Sequence, residues 1–312
     1  MKLIREFEER CLAMAIDGEI DGGIHPYIGQ EAVAAGVCSN LTDQDFLTST
    51  HRGHGHVLAK GADPRRLLAE LLGTLEGFNK GRGGSMHAAD MKLGILGANG
   101  IVGAGGAIAS GAAWAAKARG NSQVVVSFFG DGAMSQGVLL EAFNLAAIWS
   151  LPVLFVCENN MYATSLKLES GLAGNAARRA EGFGMVARTV DGMDVEAVAS
   201  ATKDLIEHCR AGRGPAFLEC STYRFFGHHS VLELLGVEFR DRDEVAEWRE
   251  RDPIPLLGAK LGDDVVASIE EAIKKEIDDA VEFAKNAATP EPKDALMYLY
   301  AGATAVRPGV IL

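Results

Sequence analysis

Gly130-Asp131-Gly132 closes one apolar run of the chain, and Asn159-Asn160 closes the next. If both runs are strands of one open parallel sheet, a helical crossover returns their carboxyl ends to the same edge, where such sheets bind ligands. Asp131 and Asn160 then offer a carboxylate and an amide oxygen to one point. That is the hard-oxygen set magnesium accepts when waters and ligand phosphates complete its octahedron. The glycines beside Asp131 permit a tight turn and a close backbone approach to a diphosphate, and the helix after Ala133 would turn its N-terminus toward that charge. Asp131 alone fits a helix cap equally well; its pairing with Asn159-Asn160 favours a site.

Three further clusters surround this one in the sequence. Ser49 to His56 holds His51, His54 and His56, a density that raises zinc, but Arg52 among them repels a cation and suits bidentate phosphate binding. Lys80 to His87 is a basic, glycine-rich loop that reads equally well as plain surface. Tyr223 to Ser230 follows a predicted strand, which brings Arg224 and His228 to the same edge as Asp131. A nicotinamide site at Gly103-Ala104-Gly105-Gly106 fails, because the third glycine position is Ile108 and no acidic residue stands at a strand end about twenty positions on.

The elements that must position these residues follow from hydrophobic spacing. Val124–Phe129 and Val153–Cys157 are continuous apolar runs joined by a helical stretch from Ser135 to Trp149, which predicts a buried right-handed βαβ unit. Val186–Val190 and Ala216–Cys220, separated by a helix over Val195–Arg210, extend the alternation. Helices are also predicted over Met1–Asp17, Glu31–Cys38 and Arg65–Gly73, the last capped by Asp63 with Pro64 at its first position. Leu93–Ala116 carries no charge but is interrupted by glycines; its first half reads as turns feeding a helix from Ala107 to Ala118, not a membrane span. Charged helices follow over 242–250 and 264–287, the second a solvated flank, before a linker at Thr289–Pro292 and an apolar tail ending in Leu312.

Composition narrows the class. The 312 residues are 48% hydrophobic and 23% charged, enough to bury a large core. A net charge of −12 with no basic stretch argues against nucleic acid and anionic membranes as partners. Five cysteines without CxxC spacing fit neither a disulfide framework nor a zinc knuckle and point to a reducing cytoplasm. Met1–Arg10 has the charge of a helix, not the apolar core of a secretory signal. The expected class is α/β, a parallel sheet with helices on both faces over residues 1–262 and a helical C-terminal extension over 263–312.

From Asp131 to Asn160 the spacing resembles the signature of thiamin diphosphate enzymes. Tyr27-Ile28-Gly29-Gln30-Glu31, His51–His56, Gly83-Gly84-Ser85-Met86-His87, Gly97–Gly103, Glu158-Asn159-Asn160, Tyr223-Arg224 and Asp252-Pro253-Ile254 extend the likeness over most of the chain. More narrowly, the chain resembles the alpha subunits of the decarboxylating first component of 2-oxo acid dehydrogenase complexes, the acetoin and pyruvate types above all. The resemblance implies the thiamin diphosphate-binding fold, with magnesium held by Asp131, Asn160 and the main-chain carbonyl of Tyr162. It places Arg52, Arg224 and His228 on the diphosphate, and His51 beside the cofactor where the family often has tyrosine. Gly100, Ile101 and Val102, with Gly130, Gly132 and Ala133, would line the cofactor, Gly100 and Val102 through their backbone. His228 and His54 would assist proton transfer, since imidazole titrates near neutrality.

The same resemblance implies a partner beta subunit that supplies the activating glutamate, a heterotetramer of two alpha and two beta chains, and a lipoyl acyltransferase component as acceptor. The implied reaction is ylide attack on a carbonyl of a 2-oxo acid or of acetoin, cleavage beside that carbonyl, and transfer of the acyl unit to a lipoyl group. Two other readings share these motifs: a split transketolase-like subunit and a non-catalytic alpha-subunit paralogue. The latter is raised by His229–Phe239, which is apolar where the family carries a short acidic loop. That loop is expected either to dock a partner or substrate or to form an extra helical turn, and His228-His229-Ser230 resembles the branched-chain type, in which such a serine can be phosphorylated.

Overall fold

The computed structural model describes residues 1–298; the apolar tail ending in Val310-Ile311-Leu312 lies outside the described residues. Among the described residues eight strands occur in chain order: β1 (Phe46–Thr48), β2 (Ile95–Gly97), β3 (Val125–Gly130), β4 (Val153–Asn159), β5 (Tyr162–Ala163), β6 (Leu166–Lys167), β7 (Val186–Asp191) and β8 (Ala216–Ser221). Six of them form one sheet in the order β2-β1-β3-β4-β8-β7, parallel throughout, while β5 and β6 make a small antiparallel hairpin.

Strand periodicity divides the apolar residues between two cores. Val126, Phe128, Leu154, Val156, Leu218 and Cys220 face helices Lys2–Ile16, Glu31–Cys38, Pro64–Leu71 and Val195–Arg210. Val125, Phe129, Val153, Phe155, Cys157 and Phe217 face helices Ala104–Ala118, Gly137–Ile148 and Ala176–Glu181 on the other side. A sheet covered on both faces explains why β3 and β4 read as unbroken apolar runs. Each such side chain contributes roughly 1.5–3 kcal/mol relative to exposure, which fixes the strand ends that carry Asp131 and Asn160. β3 and β4 are hydrogen-bonded neighbours with Gly130 opposite Glu158, so the two motifs emerge side by side.

Several expectations need adjustment. The glycine-interrupted stretch after Leu93 contains a strand, β2, and its helix starts earlier, at Ala104, because Gly103 adopts φ +85 and turns the chain into it. β1 was not legible either. β7 is an edge strand with Val186 and Arg188 open to solvent. Asp63 caps its helix as expected, accepting from the Arg65 N–H at 2.9 Å. Helix Asp263–Asn286 is solvated over most of its surface but buries Ile277, Ala280 and Ala284 in the first core. Among the described residues no helix is long and apolar enough to cross a membrane, and all five cysteines are free and buried.

Candidate active site

Beyond the carboxyl ends of the sheet opens a cavity of about 380 Å³. His51, Arg52, Gly100, Ile101, Val102, Gly130, Asp131, Gly132, Ala133, Asn160, Tyr162, Arg224 and His228 all line it. Asp131 opens a short 3-10 turn, Asp131–Ser135, and the regular helix begins only at Gly137, two residues later than its spacing predicts. Asn160 is held from both ends of its amide: Oδ1 accepts from the Tyr162 N–H at 3.3 Å and Nδ2 donates to Gln30 Oε1 at 2.8 Å. The β5–β6 hairpin that follows needs left-handed residues at Met161 (φ +67) and Thr164 (φ +56), which folds it back over Gly132. A Cβ on Gly132 would stand 2.8 Å from Ala163 Cβ, so only glycine fits beneath the hairpin.

The electrostatics are unbalanced in an informative way. Asp131 is buried, its Oδ2 has no hydrogen-bond partner, and burial pushes its pKa up to about 6. Arg224 donates through Nη2 to Thr164 O at 3.0 Å, while Nε and Nη1 are buried without partners. Burial, then the charge of Arg52, pulls the Arg224 guanidinium down to about 9. Arg52 donates to Pro26 O at 2.5 Å and to His228 O at 3.0 Å, and burial lowers it to about 10. His51 and His228 are pulled to about 3, first by burial and then by the two arginines. A buried carboxylate oxygen without a donor calls for a cation, and buried guanidinium N–H groups without an acceptor call for an anion.

His25 belongs to this site although its lone position before Pro26 gave no sequence signal of its own. Ligand atoms of His25, His51 and His228 lie within 4.8 Å of one another, a spacing that could hold a metal. Arg52 stands 3.4 Å from His228 Nδ1, so the cluster with its arginines suits an anion better than a cation. Gln30 and Glu158 also line the cavity, inside motifs quoted for the resemblance but without an assigned role.

His54 is elsewhere. It lies outside the cavity, buried, with Nδ1 3.0 Å from Glu8 Oε2 and Nε2 3.0 Å from Ser85 Oγ. Both ring nitrogens are committed within the protein, and the ring does not line the cavity. His56 is likewise buried, between Ser49 Oγ at 2.8 Å and Glu158 Oε1 at 3.1 Å. The histidines of the 51–56 cluster therefore do not converge. Nor is the basic glycine-rich loop a phosphate cradle: its inward N–H groups are taken by Glu70, which accepts from Asn79, Gly81, Gly83 and Gly84 at 2.6–3.2 Å.

Residues 1–293 match the profile of the dehydrogenase E1 component family. The chain belongs to that family. Among relatives of this E1 chain, the alpha subunit of acetoin:2,6-dichlorophenolindophenol oxidoreductase from Cupriavidus necator is 44% identical, covering 96% of this chain and 92% of that one. The pyruvate dehydrogenase E1 alpha subunit of Rhizobium meliloti is 41% identical over 96% of this chain and 86% of that one. Acetoin and pyruvate types thus both stand among the relatives, as the motifs led one to expect, and the E1 chain is an alpha-type subunit of an oxidoreductase. The apolar E1 loop after His229 forms the extra helical turn, Ser230–Leu234, with Val231, Leu235 and Phe239 exposed around it. Ser230 is itself buried, its Oγ accepting from the Ile24 N–H at 3.0 Å.

Proposed function

We propose that the chain is the alpha subunit of a thiamin diphosphate- and magnesium-dependent dehydrogenase component that cleaves a pyruvate-like 2-oxo acid or acetoin next to its carbonyl. The observation that carries the reading is the pairing, within one cavity, of an unpartnered Asp131 carboxylate oxygen with unpartnered Arg224 N–H groups. A divalent cation held with a diphosphate would satisfy both. Asp131, Asn160 and the Tyr162 carbonyl would hold magnesium; Arg52, Arg224 and His228 would hold the diphosphate; Gly100 to Val102 would bound the rest of the cofactor. His51 and His25 face the same space.

Thiamin diphosphate, when bound, would supply stabilisation of the negative charge left on the carbonyl carbon itself when the bond beside it breaks, which this cleavage requires. The chain's own residues bind and orient. Arg52 directs an N–H at His228 Nδ1, which leaves the neutral ring its proton on Nε2, where it donates to an anionic oxygen. Burial pushes Asp131 up to about 6, and a cation held by this carboxylate would keep it ionised. His54 acts at one remove, fixing Ser85 and so the loop that bears Met86 at the cavity wall.

The reading includes a beta subunit completing the site in a heterotetramer, a lipoyl acyltransferase receiving the acyl unit, and a cytoplasmic location, to which five free buried cysteines are suited. Calorimetric titration of thiamin diphosphate with magnesium into the chain, alone and co-expressed with a beta subunit, tests it. Magnesium-dependent binding with the partner is expected, and Asp131→Ala is expected to abolish it while circular dichroism and melting persist. Unchanged affinity in that variant overturns the site assignment. No binding by folded, associated chains overturns the cofactor reading.

A further inference from the structure

Two relays of matching chemistry run beneath the cavity, buried except for the half-buried Ser85. Glu8, His54 and Ser85 form one; Glu158, His56 and Ser49 form the other. The two histidines sit two residues apart on the short helix His54–Ala59, and Tyr27 joins the relays, its N–H donating to Glu8 Oε1 at 2.9 Å and its hydroxyl to Glu158 Oε1. Only the second relay ends in the cavity, at Ser49.

Donor and acceptor bookkeeping fixes the direction of that relay. Glu158 Oε1 accepts from Tyr27 Oη and lies 3.1 Å from His56 Nε2, so a carboxylate there holds the imidazole proton on Nε2. The other nitrogen, Nδ1, is then a lone pair, and Ser49 Oγ at 2.8 Å must donate to it. Stacking of the His56 ring on Phe128, centroids 3.9 Å apart, locks its orientation. Ser49 thus spends its proton inward. Among the described residues no group donates to Ser49 Oγ, so its two lone pairs are unengaged, and Ser49 lines the cavity.

We infer that Ser49 is a specificity-determining acceptor that recognises a hydrogen-bond donor, N–H or O–H, on the bound ligand, and that Glu158 and His56 are the positioning residues that make it acceptor-only. This rests on the reading of the cavity as a cofactor and substrate site. Two ligands offer such a donor there: the amino group of the cofactor's aminopyrimidine, and the hydroxyl of a hydroxyketone such as acetoin. A 2-oxo acid anion such as pyruvate offers acceptors alone and gains nothing from Ser49.

Nitrogen NMR of histidine-labelled chain reads the relay without activity. His56 protonated on Nε2 and bare on Nδ1 is expected; a proton on Nδ1 overturns the inference, because Ser49 would then be free to donate. In the complex with the beta subunit, Ser49→Ala is compared with wild type for thiamin diphosphate affinity and for KM with acetoin and with pyruvate. Loss of about tenfold, the worth of one lost hydrogen bond to a buried group, is expected in one place. Weakened cofactor binding identifies the aminopyrimidine as the donor; a raised KM for acetoin with an unchanged KM for pyruvate identifies the substrate. No change in any of the three, in a variant whose melting matches wild type, overturns it, whereas wild-type protein that binds no cofactor fails the earlier reading instead.

Discussion

Arg52 meets His228 twice, through the main-chain oxygen at 3.0 Å and through Nδ1 at 3.4 Å, across 176 residues of sequence. The contact ties the loop after β1 to the loop after β8 and sets a permanent positive charge against a titratable ring. Burial first, and then the arginine charges, hold His51 and His228 near 3 while the unfolded chain titrates near 6.5. Below 6.5 the unfolded state binds protons the folded state refuses, so stability is present at pH 7 and lost as pH falls.

His51→Gln should flatten that acid limb. Each depressed imidazole costs at most about 1.4 kcal/mol per pH unit below 6.5, so the variant should lose less melting temperature than wild type between pH 7 and 5.5. Parallel melting curves across that range would count against the burial and charge assigned to His51.

Asp131 acts with the opposite sign. Its folded pKa of about 6 exceeds the unfolded 3.8, so the carboxylate penalises the fold fully above 6 and not at all below 3.8. In magnesium-free buffer at pH 7, Asp131→Asn should be more stable than wild type by on the order of 1–3 kcal/mol and melt correspondingly higher. The gap should close as pH falls through 6 to 4. Thermal scans of both proteins against pH check the sign, and a gap that widens in acid refutes it.

Gly132→Ala should push the β5–β6 hairpin outward, since the new methyl meets Ala163 Cβ at 2.8 Å. Cofactor affinity is expected to fall about tenfold or more for a displacement at the binding surface. Ala163→Gly removes the clashing atom, so the double variant should regain most of the loss. Calorimetry on the three proteins decides; equal defects in single and double variants would mean the contact is not the cause.

Glu70→Ala leaves four backbone N–H groups of the 79–84 loop without their acceptor. A cost of about 3 kcal/mol is expected from these charge-assisted bonds. Hydrogen exchange at Gly81, Gly83 and Gly84 should accelerate more than exchange in β3. Uniform acceleration would mean that Glu70 supports the whole fold and not this loop.

Legibility in the sequence tracked chemistry that is local. β3 and β4 announced themselves because both faces are buried, and Asp131 and Asn160 because each stands at the end of such a run. β1 and β2 are three residues long, β2 inside a glycine-rich stretch, so neither shows a period. His25 and Gln30 reach the cavity only through tertiary packing of the segment after the first helix. His54 and His51 look alike in sequence; a helical turn begins between them, and it carries one ring into the core while the other stays in the cavity.

The segment from Ile24 to Gln30 carries a consequence for how the molecule comes into being. Gln30 grips Asn160, Tyr27 grips Glu158, and Ile24 is bonded to Ser230, partners 130, 131 and 206 residues away. A chain leaving the ribosome carries this segment 206 residues ahead of Ser230 and cannot seat it fully until that residue has emerged. Contacts so distant in sequence are slow to form, so the cavity is completed late in folding, by a strap synthesised more than a hundred residues ahead of the partners that seat it.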